Sequence, residues 1–155
     1  MLDRQRLARN GPALALLLGW VFLALSLAGY HPADAPGVAA EPANPTPVNP
    51  CGPVGATIAF ALFQALGWSS YLLLPGLAVW ALTLMLTGYV GLSTVLAVWT
   101  VAVYALITAG PASPLFAFAV LMAFFILYTH RSNMQRLLAG DENQFKRAML
   151  LRRRG

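Results

Sequence analysis

Apolar positions run almost without relief from Gly11 to Tyr30 and from Val54 to Thr129, and the breaks within these stretches are made by proline and glycine rather than by charge. Gly11–Tyr30 is continuously apolar apart from Ser26. Twenty helical residues reach about 30 Å, the thickness of a hydrocarbon core, so this stretch predicts a first transmembrane helix. Ser26-Leu27-Ala28 has the small-residue look of a cleavage site, but the apolar stretch is long for a signal core. Residues 54–87 form a second apolar run. As one helix it would reach about 50 Å, too long for a single span. Gly67-Trp68-Ser69-Ser70 interrupts it, which predicts two segments, Val54–Gly67 and Tyr71–Leu86. Trp68 and Tyr71 suit the membrane interface, and Pro75 falls in the first turn of the second segment or kinks it. Gly88-Tyr89-Val90-Gly91 is the next break. Val90–Ala109 and Leu115–Thr129 follow as spans, separated by the Gly110-Pro111-Ala112-Ser113-Pro114 turn. In Val90–Ala109, Ser93, Thr94, Thr100 and Thr108 can bond back to the helix. Past Thr129, residues 132–138 read as a short amphipathic helix. Asn133 and Arg136 share one face there, Met134, Leu137 and Leu138 turn toward the bilayer, and Gly140 stands in position for a C-cap. The pattern predicts an all-α fold: a polytopic membrane helical bundle of four to five transmembrane helices with a short amphipathic C-terminal tail.

Charge sharpens this picture. From residue 42 to residue 129 there is no Lys, Arg, Asp, Glu or His. Charged residues are 10% of the chain, against about 25% in soluble domains. The ten Lys and Arg sit at the two ends: Arg4, Arg6 and Arg9, then Arg131, Arg136, Lys146, Arg147, Arg152, Arg153 and Arg154. Basic flanks resist translocation and meet anionic cytoplasmic lipid, so both termini are expected in the cytoplasm. The net charge of +5 is then a membrane signature, and no direct nucleic-acid binding is expected. Two inside ends need an even number of crossings, whereas five apolar segments are counted. Val54–Gly67, about 21 Å of helix, is the weakest. It is expected to be short, re-entrant or merged with its neighbour.

Residues 31–53 carry seven prolines, with Asp34 and Glu41 and no Lys or Arg, which suits an extended loop on the outer side. Cys51, the single cysteine, has no internal disulfide partner. Small residues at Gly52, Gly55, Ala56, Ala59, Gly76, Ala78 and Ala81 permit close helix approach in lipid, within the chain or in a homo-oligomer.

The chemically equipped part is His130 to Phe145. Arg131 and Arg136 offer planar forks for phosphate oxygens. Asn133 offers an amide, Glu142 can order an Arg or take a hydroxyl, and His130 can act as acid or base near neutral pH. The plainer reading is equally physical: Arg and His just past a span are interfacial anchors, and Asp141 and Glu142 pair with Arg.

His130-Arg131-x-Asn133-x-x-Arg136-Leu137-Leu138-x-Gly140-x-Glu142-Asn143-x-Phe145 resembles the last signature motif of the PlsY family. These are bacterial membrane enzymes that acylate glycerol 3-phosphate from acyl phosphate. Thr87-Gly88-Tyr89-Val90-Gly91-Leu92-Ser93 and the following spans resemble the end of the same family, over roughly residues 75–148. The resemblance implies a cytoplasmic substrate site to which Asn133, Arg136, Gly140 and Glu142 contribute, with His130 and Arg131 opening the motif. It also implies glycerol 3-phosphate or acyl phosphate as ligand, with no metal and no cofactor. That family's other two signatures, one rich in Gly, Ser and Asn and one containing His, Gly and Lys, are missing. No Lys precedes Lys146, and no His lies between His31 and His130. A site with one part of three does not position two substrates, so the chain alone is expected not to be a competent acyltransferase.

The front of the chain resembles a different family. Ser26-Leu27-Ala28-Gly29-Tyr30-His31-Pro32-Ala33-Asp34 and Asn49-Pro50-Cys51-Gly52-Pro53-Val54-Gly55-Ala56 are similar to the four-helix membrane region of FtsK/SpoIIIE DNA translocases, over roughly residues 11–86. This implies a non-enzymatic anchor or oligomerisation module. The expected organisation is an FtsK-like region at 1–87 and a PlsY-like region at 88–155, in the bacterial cytoplasmic (inner) membrane. The more specific motif favours the acyltransferase-like label. The two resemblances place the break near residue 88 on opposite sides of the membrane.

Overall fold

A computed structural model describes residues 4–37, 42–145 and 149, with side chains from residue 11 onward. The described residues are helical or irregular, with no strand among them. The helices are α1 (Arg4–Ala28), α2 (Gly52–Leu66), α3 (Leu73–Thr87), α4 (Val90–Ala109), α5 (Pro114–Thr129) and α6 (Arg131–Ala139). A 3-10 turn, Gly67–Leu72, joins α2 to α3. Three helical runs are long and apolar enough to cross a membrane: Gly11–Ala28, Gly52–Thr87 and Val90–Ala109. The α5–α6 pair, bent by 58°, makes a fourth when counted as one. The protein is a polytopic helical membrane bundle.

The chain forms two compact units, residues 18–74 and residues 1–17 with 75–155. In the first, α1 ends at Ala28, two residues before the apolar run does. The Gly29 and Tyr30 amides still bond back, to the carbonyls of Leu25 and Leu27. The loop that follows is tied down from within. Asp34, 3% exposed, accepts from Asn44 Nδ2 at 2.6 Å, Val48 N at 3.1 Å and Asn49 N at 3.2 Å. Burial works to raise the Asp34 carboxyl, but these hydrogen bonds and the nearby His31 hold it below the ordinary carboxylate value. Asn49 donates to the Ser26 carbonyl at 2.8 Å, and its Oδ1 accepts from Cys51 N at 3.0 Å. The Ser26 hydroxyl bonds the Phe22 carbonyl. Among the described residues no buried side-chain nitrogen or oxygen lacks a partner, which is what lets Ser26, Asp34 and Asn49 be buried.

α2 opens beside that knot, and a Cβ on Gly55 would collide with Cys51, Asn49 Oδ1 and Ser26 Oγ. A straight α-helical path from Gly55 to Tyr71 would cover about 24 Å. Instead the Tyr71 hydroxyl donates to the Leu27 carbonyl at 3.0 Å, one residue from Ser26. The helix breaks at Gly67, where φ is 57° and ψ −142°; positive φ is natural for glycine alone. Phe63 stacks on Tyr30 with centroids 3.9 Å apart and meets Tyr71 edge-on. Both ends of the α2 excursion are thus held at the C-terminal end of α1. Trp20 Nε1 donates to the Leu74 carbonyl at 2.9 Å.

In the second unit, Ala13 packs with Ala81 and Met85, flanked by Trp80. α4 and α5 form an antiparallel hairpin around Ala102, Ala105 and Ala119, small residues that allow close approach where lipid gives no hydrophobic drive. The turn between them is well made: the Ser113 hydroxyl accepts from Phe116 N and Pro114 takes the first helical position. Ser93, Thr94, Thr100 and Thr108 all bond back to carbonyls four residues earlier.

Candidate functional site

The charged edge is built by the bend at His130. α5 ends there with His130 N donating to Ile126 O at 2.9 Å, and α6 begins with Met134 N donating to His130 O. His130 thus contributes its backbone to the joint. Arg131 folds back over α5, with its guanidinium 4.3 Å above the Tyr128 ring and NH1 2.9 Å from the Tyr128 carbonyl. That is an interfacial arrangement: a cation on an amphipathic ring.

α6 is amphipathic, as its spacing predicts. Leu138 is 89% exposed, while Asn133, Met134 and Leu137 are half-buried. Asn133 packs against α4 at Gly91, where a Cβ would come within 2.8 Å of Asn133 Cβ and Nδ2. Arg136, one turn on, donates through NH2 to Asn133 Oδ1 at 3.1 Å and through Nε to Glu142 Oε2 at 2.8 Å. The Glu142 side chain is 6% exposed and that of Arg136 47%. What brings Glu142 back is Gly140, which ends α6 in the left-handed region (φ 79°, ψ 14°). Gly140 N bonds Leu137 O and Asp141 N bonds Arg136 O, so the chain doubles over the last turn.

The tail then crosses the α3–α4 turn. Phe145 N donates to the Gly88 carbonyl at 2.7 Å, and Gln144 Nε2 donates to the Tyr89 hydroxyl at 3.1 Å. Met149 lies against Gly88. Of the six candidate residues, Asn133, Arg136 and Glu142 come together, Gly140 makes the turn that allows it, His130 forms the joint, and Arg131, the first residue of α6, stands apart, folded back over Tyr128 of α5. Gly88, Tyr89 and Gly91, from the Thr87–Ser93 segment that shares the PlsY resemblance, belong to the same assembly, as does Gln144. The glycines of the 88–91 break are the available signal. Among the described residues no group of His, Cys, Asp and Glu is placed to hold a metal.

With this geometry in hand, comparison places the chain. A family model described as the 4TM region of DNA translocase FtsK/SpoIIIE matches residues 5–138. The chain belongs to this family. As an FtsK/SpoIIIE 4TM-region protein it also has relatives of another kind. It is 39% identical over 70 residues to the glycerol-3-phosphate acyltransferase of Fusobacterium nucleatum, covering 45% of this chain and 36% of that protein. It is 29% identical over 90 residues to the glycerol-3-phosphate acyltransferase of Chromobacterium violaceum, covering 58% and 44%. The chain therefore spans less than half the length of the curated relatives it matches. No solved structure matches it. Both resemblances read from the sequence are real, and they meet in one membrane protein.

Proposed function

We propose that this chain is a non-enzymatic membrane module of the FtsK/SpoIIIE type, an anchor or assembly element, and that its acyltransferase-like tail is a structural clip. The carrying observation is that Asn133, Arg136 and Glu142 use one another as partners. A phosphate at Arg136 would have to share the guanidinium with a carboxylate that already holds its Nε, beside the Asn133 amide on Nη2. The proposal includes incompleteness: one signature of three does not position a donor and an acceptor. It also includes orientation. With α2 held at one end of α1, the crossings are α1, α3, α4 and α5, an even number. Both basic ends and the 88–91 turn then face the cytoplasm, with the Pro-rich loop outside.

The second reading is a phosphate-binding protein of phospholipid synthesis, and the names of the curated relatives favour it. Equilibrium binding of labelled glycerol 3-phosphate to the whole chain in lipid nanodiscs separates the two. The structural reading expects no saturable binding, and a lower melting temperature on Asn133→Ala or Glu142→Ala. Saturable binding that those substitutions abolish, with the melting temperature unchanged, would establish the second reading.

A further inference from the structure

The outer loop carries a titratable group whose hydrogen bonds admit one protonation state. His31 Nδ1 lies 3.2 Å from the Ala33 amide nitrogen and 3.1 Å from Asn44 Nδ2. Both neighbours are N–H donors, so Nδ1 must present its lone pair and the ring must be the neutral Nε2–H tautomer. Asn44 spends its other hydrogen on Asp34 Oδ1, and Asp34 in turn holds the amides of Val48 and Asn49. The Asn44 amide nitrogen bonds the Ala33 carbonyl. Asn44 is therefore the middle of a relay from the end of α1 to the start of α2.

We propose that His31 is a proton switch for this loop: protonation at Nδ1 breaks the His31–Asn44–Asp34 relay and releases the segment around Asn44. Two effects act in the same direction. A new N–H at Nδ1 points at two donors that have lost their acceptor. The imidazolium also competes with Asn44 for the Asp34 carboxylate, which is already ionised in this range. Among the described residues the other titratable groups nearby are committed elsewhere. Tyr30 stacks on Phe63, and Cys51 Sγ is turned to the Phe22 carbonyl. Glu41 lies outside the described residues.

The test uses the whole chain in nanodiscs with a spin label at Thr46→Cys in a Cys51→Ala background. Thr46 is exposed and lies between Asn44 and Val48. The label is expected to be restrained at pH 7.5 and several-fold more mobile at pH 5.5. His31→Asn keeps an acceptor near the Nδ1 position without titrating, and its spectrum is expected to stay restrained at both values. Asn44→Ala is expected to be mobile at both. A flat response in the parent, the same transition in His31→Asn, or a restrained label in Asn44→Ala would each overturn the proposal.

Discussion

Asp34 shows how much one side chain can organise at the residue scale. Its two oxygens take three hydrogen bonds across fifteen residues of loop, and the asparagine that receives the chain next, Asn49, is itself buried. Asp34→Asn would turn an acceptor into a donor facing backbone amides. Leaving such groups unpaired costs about 1–3 kcal/mol, so a lower melting temperature is expected by tryptophan fluorescence. The pH sign follows from the lowered carboxyl. Its stabilisation is fully present above the ordinary value of about 3.9 and is lost as pH falls through the depressed value. Asp34→Asn is expected to flatten that acid limb. The FtsK-like segments 26–34 and 49–56 contain Ser26, Asp34 and Asn49, but the bonds that join them through Asn44 were not legible, because they link residues far apart in sequence.

The elements were more readable, for physical reasons that differ from place to place. Val90–Ala109 has the predicted bounds because Gly88 and Gly110 both take positive φ at its ends. The break at Gly67 was visible in the same way. The return of the chain to Leu27 was not, because it depends on a tyrosine hydroxyl reaching a carbonyl 44 residues away. In α6 the Asn133–Arg136 pair followed from helical spacing, whereas Glu142 joins it through a left-handed turn and Gln144 reaches a tyrosine 55 residues away. The contact of α6 with α4 rests on the missing Cβ of Gly91. Gly91→Leu is expected to push Asn133 off α4 and raise amide exchange at Phe145 at least several-fold. Normal protection at Phe145 in that variant would mean that the tail is held by something else.

At the scale of the molecule, a tail shaped like an acyltransferase motif is folded against the α3–α4 turn, in a chain of the FtsK/SpoIIIE membrane family. That arrangement requires the turn and the tail to share one side of the membrane. Under the proposed orientation that side is the cytoplasm, with the Pro-rich loop outside. The most direct measurement is single-cysteine labelling of intact cells with an impermeant maleimide, in a Cys51→Ala background, at Thr46, Thr87 and Asn143. Thr46→Cys is expected to label from outside, and Thr87→Cys and Asn143→Cys only after the membrane is opened. External labelling at Thr87, or Thr87 and Asn143 on different sides, would contradict the account, because a clip cannot close across a bilayer.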